Sequence, residues 1–319
     1  MQMPTASPKR SLTILNVGHG NAAVLVDEGG AVVFDTGLRG TAVLRFLRNK
    51  GIREIEALYL SHSDADHLGG ASTLLLDANL KVGSVYVNSD ASKQTAVFEQ
   101  LRYAIAEARK QRGTVTHVGL TTSLNALPRR VGTRIDVLYP APEVAAAGVG
   151  GSELGGRTIT PNSMSAVIRI GDIASASVLL CGDIEDSCLS HWHDNGEDVK
   201  AGTLVFPHHG GNPGVSNDDE LQQFTELLYS LAQPVNVVFS IHKTKHSLPK
   251  QRILDTLVTQ SAEITFTCTQ LPEKFHAAAA DSPNWRYHFN QEGELVAQAD
   301  IVCDLDSDPG QLYLVVHSA

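Results

Sequence analysis

The sequence predicts an α+β fold, with strand-rich first and second halves and helices between them. Three observations carry that prediction. Short apolar runs near the start are cut by glycine-rich turns, later apolar strands end abruptly in Gly-Asp or His-His-Gly, and stretches of helical period lie between them. The 319 residues, 42% of them hydrophobic, can bury a sizeable core in one large domain or two small ones. No apolar run is long enough to span a bilayer, and MQMPTASPKR lacks the apolar stretch of a signal peptide, so a cytoplasmic protein without membrane attachment is expected. Cys181, Cys188, Cys268 and Cys303 are scattered without a CxxC spacing, which predicts buried free thiols. The net charge of −10 argues against indiscriminate nucleic-acid binding. It leaves room for a nuclease, because divalent cations and a local basic rim can supply positive charge where a phosphate sits.

In chain order, residues 1–10 read as a disordered lead-in. Leu12 to Leu15, Ala22 to Val26 and Ala31 to Phe34, separated by Gly18-His19-Gly20-Asn21 and Asp27-Glu28-Gly29-Gly30, predict an antiparallel meander. Asp35-Thr36-Gly37 follows, then a helix over about Thr41 to Lys50. Ala57 to Leu60 is β-compatible, and Leu68 to Leu76, opened by Gly69-Gly70, reads as a closely packed helix. Val82 to Asn88 predicts another strand, and about Thr95 to Arg112 a helix with Phe98, Leu101, Ile105 and Ala108 on its apolar face. Residues 141–160, rich in alanine and glycine and aperiodic, predict a mobile loop over the site. Strands are expected at Ala166 to Ile170, Val178 to Leu180, Leu204 to Phe206 and Val235 to Ile241, and a helix from near Lys250. Beyond residue 262, strands near Ile264 to Thr269, Trp285 to Phe289, Glu294 to Val296 and Leu312 to Val316 predict a β-rich extension over 263–319, a surface for a homodimer or protein partner.

The chemistry concentrates in His62-Ser63-Asp64-Ala65-Asp66-His67, a strand-to-helix loop. Four ligand-capable side chains within six residues repel one another or compete for protons unless a cation lies between them. His62 and Asp64, two apart in an extended loop, can point the same way, whereas adjacent Asp66 and His67 diverge, so two metal positions are expected. Further on, Gly182-Asp183 places a carboxylate at a sheet lip. His208-His209-Gly210 places two imidazoles on a turn where backbone can approach a ligand. Lys243 and Lys245 precede His246, and Lys250 and Arg252 follow it, a cluster suited to a phosphate backbone.

These motifs resemble the metallo-β-lactamase fold superfamily. The hexad is similar to its HxHxDH signature with aspartate at the second histidine, the HxDxDH variant of the branch typified by the metallo-β-lactamase-like domain of the bacterial DNA-uptake channel ComEC and its free-standing relatives. The turn Asn16-Val17-Gly18-His19-Gly20-Asn21 resembles that branch's DVGQGDA, keeping the glycines but replacing two carboxylates by Asn16 and Asn21 and the glutamine by His19. Asn162-Ser163, the HHG motif and a histidine shortly before Pro249 complete a resemblance that runs to about Pro249.

The resemblance implies a four-layer αββα sandwich, here over residues 11–262, and a dinuclear metallohydrolase. It implies one metal position formed by His62, Asp64 and a bridging Asp183, with Asn162 or water. The other would be formed by Asp66, His67, Asp183 and a second-half histidine, His209 preferred and His246 open. Asp35 would brace the metal loop, and Ser163 would contact metal or substrate. His208, His246 and Asp66 would serve catalysis, and Lys243 and Lys245 the substrate phosphate. An oxygen-rich donor set favours Mn²⁺, with Zn²⁺ retained and Mg²⁺ admissible. The function implied is a phosphodiesterase or nuclease cleaving DNA or RNA with a hydroxide activated between two metals. A hydrolase of another ester, thioester or lactam, or a non-catalytic metal-binding partner module, stays open.

Overall fold

The computed structural model describes residues 9–90, 92–126, 130–152, 156–290, 293–308 and 310–316. The expected lead-in therefore lies almost wholly outside the described residues. The first half contains β1 (Ser11–Ile14), β2 (Ala23–Asp27), β3 (Gly30–Phe34), α1 (Thr41–Asn49), β4 (Glu54–Tyr59), α2 (Ala65–Leu68), α3 (Ala71–Leu76), β5 (Lys81–Val87), α4 (Ala96–Arg112) and β6 (Val115–Val118). The second contains β7 (Ile135–Tyr139), α5 (Pro142–Ala147), β8 (Val167–Ile170), β9 (Val178–Leu180), α6 (Asp186–Asn195), β10 (Thr203–Val205), α7 (Asp218–Ala232), β11 (Asn236–Phe239), α8 (Gln251–Gln260) and β12 (Thr265–Cys268). The chain then adds α9 (His276–Asp281), β13 (Asp300–Asp304) and β14 (Gln311–Val315).

Two sheets result, one ordered β14-β13-β1-β2-β3-β4-β5-β6 and the other β12-β11-β10-β9-β8-β7. Each is antiparallel on one side and parallel on the other: β3 to β6 run parallel in the first, β9 to β12 in the second. Side chains alternating along each strand divide the core. In β3, Val32 and Phe34 face the other sheet while Ala31 and Val33 face the helices. Val238 of β11 likewise faces the first sheet, and Val237 and Phe239 the opposite side. The first helix layer supplies Val43, Leu47 and Leu101 to its sheet, and the second supplies Leu189, Phe224 and Leu257. Each such fully buried side chain contributes roughly 1.5–3 kcal/mol. Three apolar seams between four layers give the αββα sandwich.

Several expectations are corrected. The helix expected over Leu68 to Leu76 is two helices, α2 and α3, broken at Gly69-Gly70; Gly70 packs so tightly that a β-carbon there would come within 2.0 Å of the Gly40 nitrogen. α2 begins inside the hexad, with Asp64 at its N-cap and Asp66 in its first turn. On α4, Ala104 is buried and Ile105 only partly so, which shifts the apolar face by one residue. The segment 141–160 is not all loop: Pro142 at the first helical position and the following alanines form α5, though residues 153–155 lie outside the described ones. Pro283–His288 forms a 3₁₀ segment where a strand was expected, because Pro283 starts a turn capped by the Ser282 hydroxyl. Around Glu294 to Val296 only an isolated bridge, Phe289 to Leu295, is present. The residues read as an extension contribute β12 to the second sheet and β13 and β14 to the first. All four cysteines are free and buried.

Candidate metal centre

Apart from the segment entering β8, which carries Asn162 and Ser163, the loops that carry the predicted donors leave the carboxyl ends of parallel strands. β3 delivers Asp35, β4 the hexad, β9 Asp183, β10 His208 and His209, and β11 the segment running to His246. A network of hydroxyls and a carboxylate then aims the imidazoles. The backbone N–H and hydroxyl of Ser61 donate to Asp35 at 2.8 and 2.7 Å, and His67 Nδ1 donates to Asp35 Oδ2 at 2.8 Å. His62 Nδ1 lies 3.1 Å from the Ser61 hydroxyl and 3.2 Å from that of Ser165, and His209 Nδ1 donates to the Ser240 carbonyl at 2.9 Å. With each Nδ1 engaged, the Nε2 atoms of all three rings face the cleft.

Asp183 stands between them. Its Oδ1 lies 3.3 Å from His67 Nε2 and 3.8 Å from His209 Nε2, and its Oδ2 lies 3.9 Å from His62 Nε2 and 3.7 Å from His208 Nδ1. Asp64 Oδ2 is 3.7 Å from His62 Nε2, and Asp66 Oδ2 is 3.3 Å from His209 Nε2. Buried and without a hydrogen-bond partner are His62 Nε2, His67 Nε2, His209 Nε2 and Asp183 Oδ1. Desolvating four such atoms toward one another is unfavourable unless a cation serves them all. The residues present therefore fit divalent metal ions. Donor atoms of His62, His67 and Asp183 converge within 4.8 Å, as do those of His19, Asp66 and His209.

The electrostatics make the same demand for positive charge. Burial disfavours the imidazolium form of His67, yet the flanking Asp183 and Asp35 carboxylates outweigh it and raise its pKa well above the ordinary value. Burial likewise pushes the Asp183 carboxyl up, but His67 and His209 hold it well below the usual range. Asp66 is held low against burial by His209 and His67. The His62 imidazole, and Lys93 behind it, hold Asp64 down to about 2. Burial and the neighbouring His209 lower His19 to about 4, and burial lowers His208.

Of the predicted residues, His62, Asp64, Asp66, His67, Asp183, His208 and His209 surround one cleft, with Asp35 behind His67. His246 is exposed and meets the cluster only through ring contact with His19, at 4.5 Å between centroids. Lys243 and Lys245 are exposed on the same loop. Asn162 Oδ1 is buried and unpartnered. Ser163 turns away from the donors: its hydroxyl donates to Glu185 at 2.6 Å and lines a groove of about 680 Å³ beside the cleft, with Arg157, Asp186 and Glu220. Backbone conformation at the turn is unusual, since His208 and His209 both have positive φ (49° and 57°), as does Asp35 (52°).

Sequence reasoning missed the roles of Ser61, Ser165 and Ser240, whose hydroxyls or carbonyl orient the rings, and of Lys93, which forms an ion pair with Asp64. It also missed the approach of His19 to Asp66, 3.6 Å from Nε2 to Oδ2. The exchange of glutamine for histidine within an otherwise glycine-preserving turn was the one available signal for it.

Residues 15–223 match the model of the family described as Metallo-beta-lactamase superfamily. ComE operon protein 3 of Bacillus subtilis is 24% identical over 83% of this chain and 32% of its own length. Competence protein ComA of Neisseria gonorrhoeae is 24% identical over 67% of this chain and 26% of its own. The chain thus spans about a third or less of the length of these relatives. Among solved structures, a diphosphatase from the PhnP family aligns over 82% of this chain and 96% of its own, with 14% identity and a TM-score of 0.45.

Proposed function

The chain belongs to the metallo-beta-lactamase superfamily, and from that premise we propose a dinuclear metallohydrolase that cleaves phosphodiester bonds, with nucleic acid as the substrate class. The observation that carries it is Asp183, whose two oxygens face separate imidazole sets, His67 and His209 on one side and His62 and His208 on the other. His62, Asp64 and Asp183 would hold one ion, and Asp66, His67, Asp183 and His209 the other. When bound, such ions supply an activated water and neutralise charge on the phosphoryl oxygens. Asp183 fixes the spacing of the two donor sets, and Asp35 keeps His67 in the tautomer that presents Nε2.

His208 Nε2 is buried without a protein partner, and we assign it the contact with a phosphoryl oxygen. His246, exposed at the cleft edge, would protonate the leaving oxygen, while Lys243 and Lys245 bind the flanking phosphates. The relative named for competence, together with the resemblance to the DNA-uptake branch, favours DNA over RNA. A second reading has its own observation: Glu185, Asp186 and Glu220 line the groove beside the cleft and would repel a polynucleotide backbone on that side. A small phosphodiester entering by the basic loop avoids that repulsion.

The test is hydrolysis of bis-p-nitrophenyl phosphate, single- and double-stranded DNA and a dinucleotide by the chelated and reconstituted protein, with nitrocefin and a thioester as comparisons. Chelation is expected to abolish phosphodiester cleavage and Mn²⁺ to restore it. Turnover of nitrocefin or the thioester alone would overturn the assignment. Cleavage of the dinucleotide but not DNA would select the second reading.

A further inference from the structure

We propose that His19 is a protein ligand to the metal ion held by Asp66 and His209, and that its added nitrogen makes this the zinc-preferring position of the pair. The inference rests on the metallohydrolase reading above.

The geometry begins with Asp66 Oδ2, which has His209 Nε2 at 3.3 Å on one side and His19 Nε2 at 3.6 Å on the other. Zinc–nitrogen and zinc–oxygen bonds of about 2.0–2.2 Å separate neighbouring ligand atoms by about 2.8–3.8 Å in four- and five-coordinate sites. Both distances fall in that interval, and the three donor atoms lie within 4.8 Å of one another. His19 Nδ1 is buried and has no hydrogen-bond partner, so no protein acceptor turns the ring away from Asp66.

The ring is held by packing and by its turn. It lies between the His209 and His246 rings, each 4.5 Å away between centroids. The turn is fastened to the metal loop, since Asn21 N–H donates to the Asp66 carbonyl at 3.2 Å and the Ser240 hydroxyl to the Gly20 carbonyl at 2.7 Å. Gly20, at φ 128°, approaches so closely that a β-carbon would lie 2.2 Å from the Asp66 carbonyl oxygen. A ligand carried by this turn thus keeps its register with Asp66. Ser240 serves twice, because its carbonyl also accepts from His209 Nδ1. With His67 and Asp183, which the same position shares, His19 would bring it to three imidazoles against two carboxylates, whereas His62, Asp64 and Asp183 offer one nitrogen to two carboxylates, a harder set.

Metal-free protein, titrated calorimetrically with Zn²⁺ and with Mn²⁺, tests the assignment in wild type, His19→Gln and His19→Asp. Wild type is expected to bind two ions. His19→Gln should keep one at full affinity and bind the other roughly tenfold or more weakly for Zn²⁺, with less change for Mn²⁺, and His19→Asp should recover much of the loss. Histidine-selective ¹⁵N spectra of the unaltered protein give a readout independent of variant folding: His19 Nε2 should move to a metal-bound shift together with His209 Nε2. A stationary His19 resonance beside a shifted His209, or unchanged Zn²⁺ affinity at both positions in His19→Gln, overturns the assignment while leaving the metallohydrolase reading intact. No Zn²⁺ or Mn²⁺ binding by wild type overturns both.

Discussion

The loop leaving the first sheet and the loops leaving the second bring donors to the same cleft by different means. The first packs His62, Asp64, Asp66 and His67 into six residues, with His62 and His67 almost fully buried and each ring braced through Nδ1. The second sheet contributes Asp183, His208 and His209, and His246 from three separate loops, and three of those histidines have left-handed backbone. Local spacing therefore dictates the first set, while the second exists only once β9, β10 and β11 are aligned. The first should survive perturbations that scatter the second.

Removing the group that joins the two sets gives the largest expected effect. Asp183→Ala should lose both ions and bring hydrolysis to background, because one side chain faces His62 and His208 on one oxygen and His67 and His209 on the other. Mass spectrometry under native conditions reads the occupancy, and two retained ions would refute the junction. The next contrast lies within the second-sheet loops. His209→Ala should lower metal occupancy, whereas His246→Ala, which reaches the cluster only through the His19 ring, should retain its ions and lose roughly tenfold to a hundredfold in kcat. Metal loss in His246→Ala alone would reverse these roles.

The smallest effect leaves both donor sets in place and asks whether the second sheet gives way first. His288 Nε2 accepts from the Cys268 N–H of β12 at 2.7 Å and its Nδ1 donates to the Val296 carbonyl at 3.0 Å, an arrangement that only neutral imidazole satisfies. Burial, reinforced by His276 and opposed by the Val296 carbonyl, lowers its pKa from 6.5 to about 4. Between those values the unfolded chain binds a proton that the folded one does not. The contribution to stability is therefore complete above about pH 6.5 and is lost as the pH falls toward 4, by at most about 3 kcal/mol. Hydrogen exchange at pH 5 against pH 7 should show earlier loss of protection in β12 and residues 283–288 than in β4. Earlier loss in β4 would contradict the comparison.

How much of this was legible in the sequence follows the same division. Contiguous spacing made the hexad readable, and strand-end patterns made Asp183 and the His208-His209 pair readable, because each is a local device. Asp35 came only with the resemblance, since a helix-capping aspartate would have stood in nearly the same place. His19, Lys93 and the orienting serines were not readable as site residues, since their roles arise where the β1–β2 turn, the segments before α4 and β8 and the loops after β4 and β11 meet in space. Short elements failed for a related reason: α5 and the 3₁₀ segment at Pro283 have too few residues for a period to register.

The left-handed pair at His208 and His209 carries a consequence for the life of the protein. A non-glycine residue there is disfavoured by roughly 1–2 kcal/mol, and two stand in succession, the second being His209, the metal ligand proposed above. Cation binding favours the native chain over the unfolded one in proportion to RT ln(1 + [M]/Kd), so it offsets that conformational penalty in step with supply. Scarcity of the ion would then reduce not only turnover but the amount of intact protein escaping proteolysis, making abundance itself a gauge of free divalent metal.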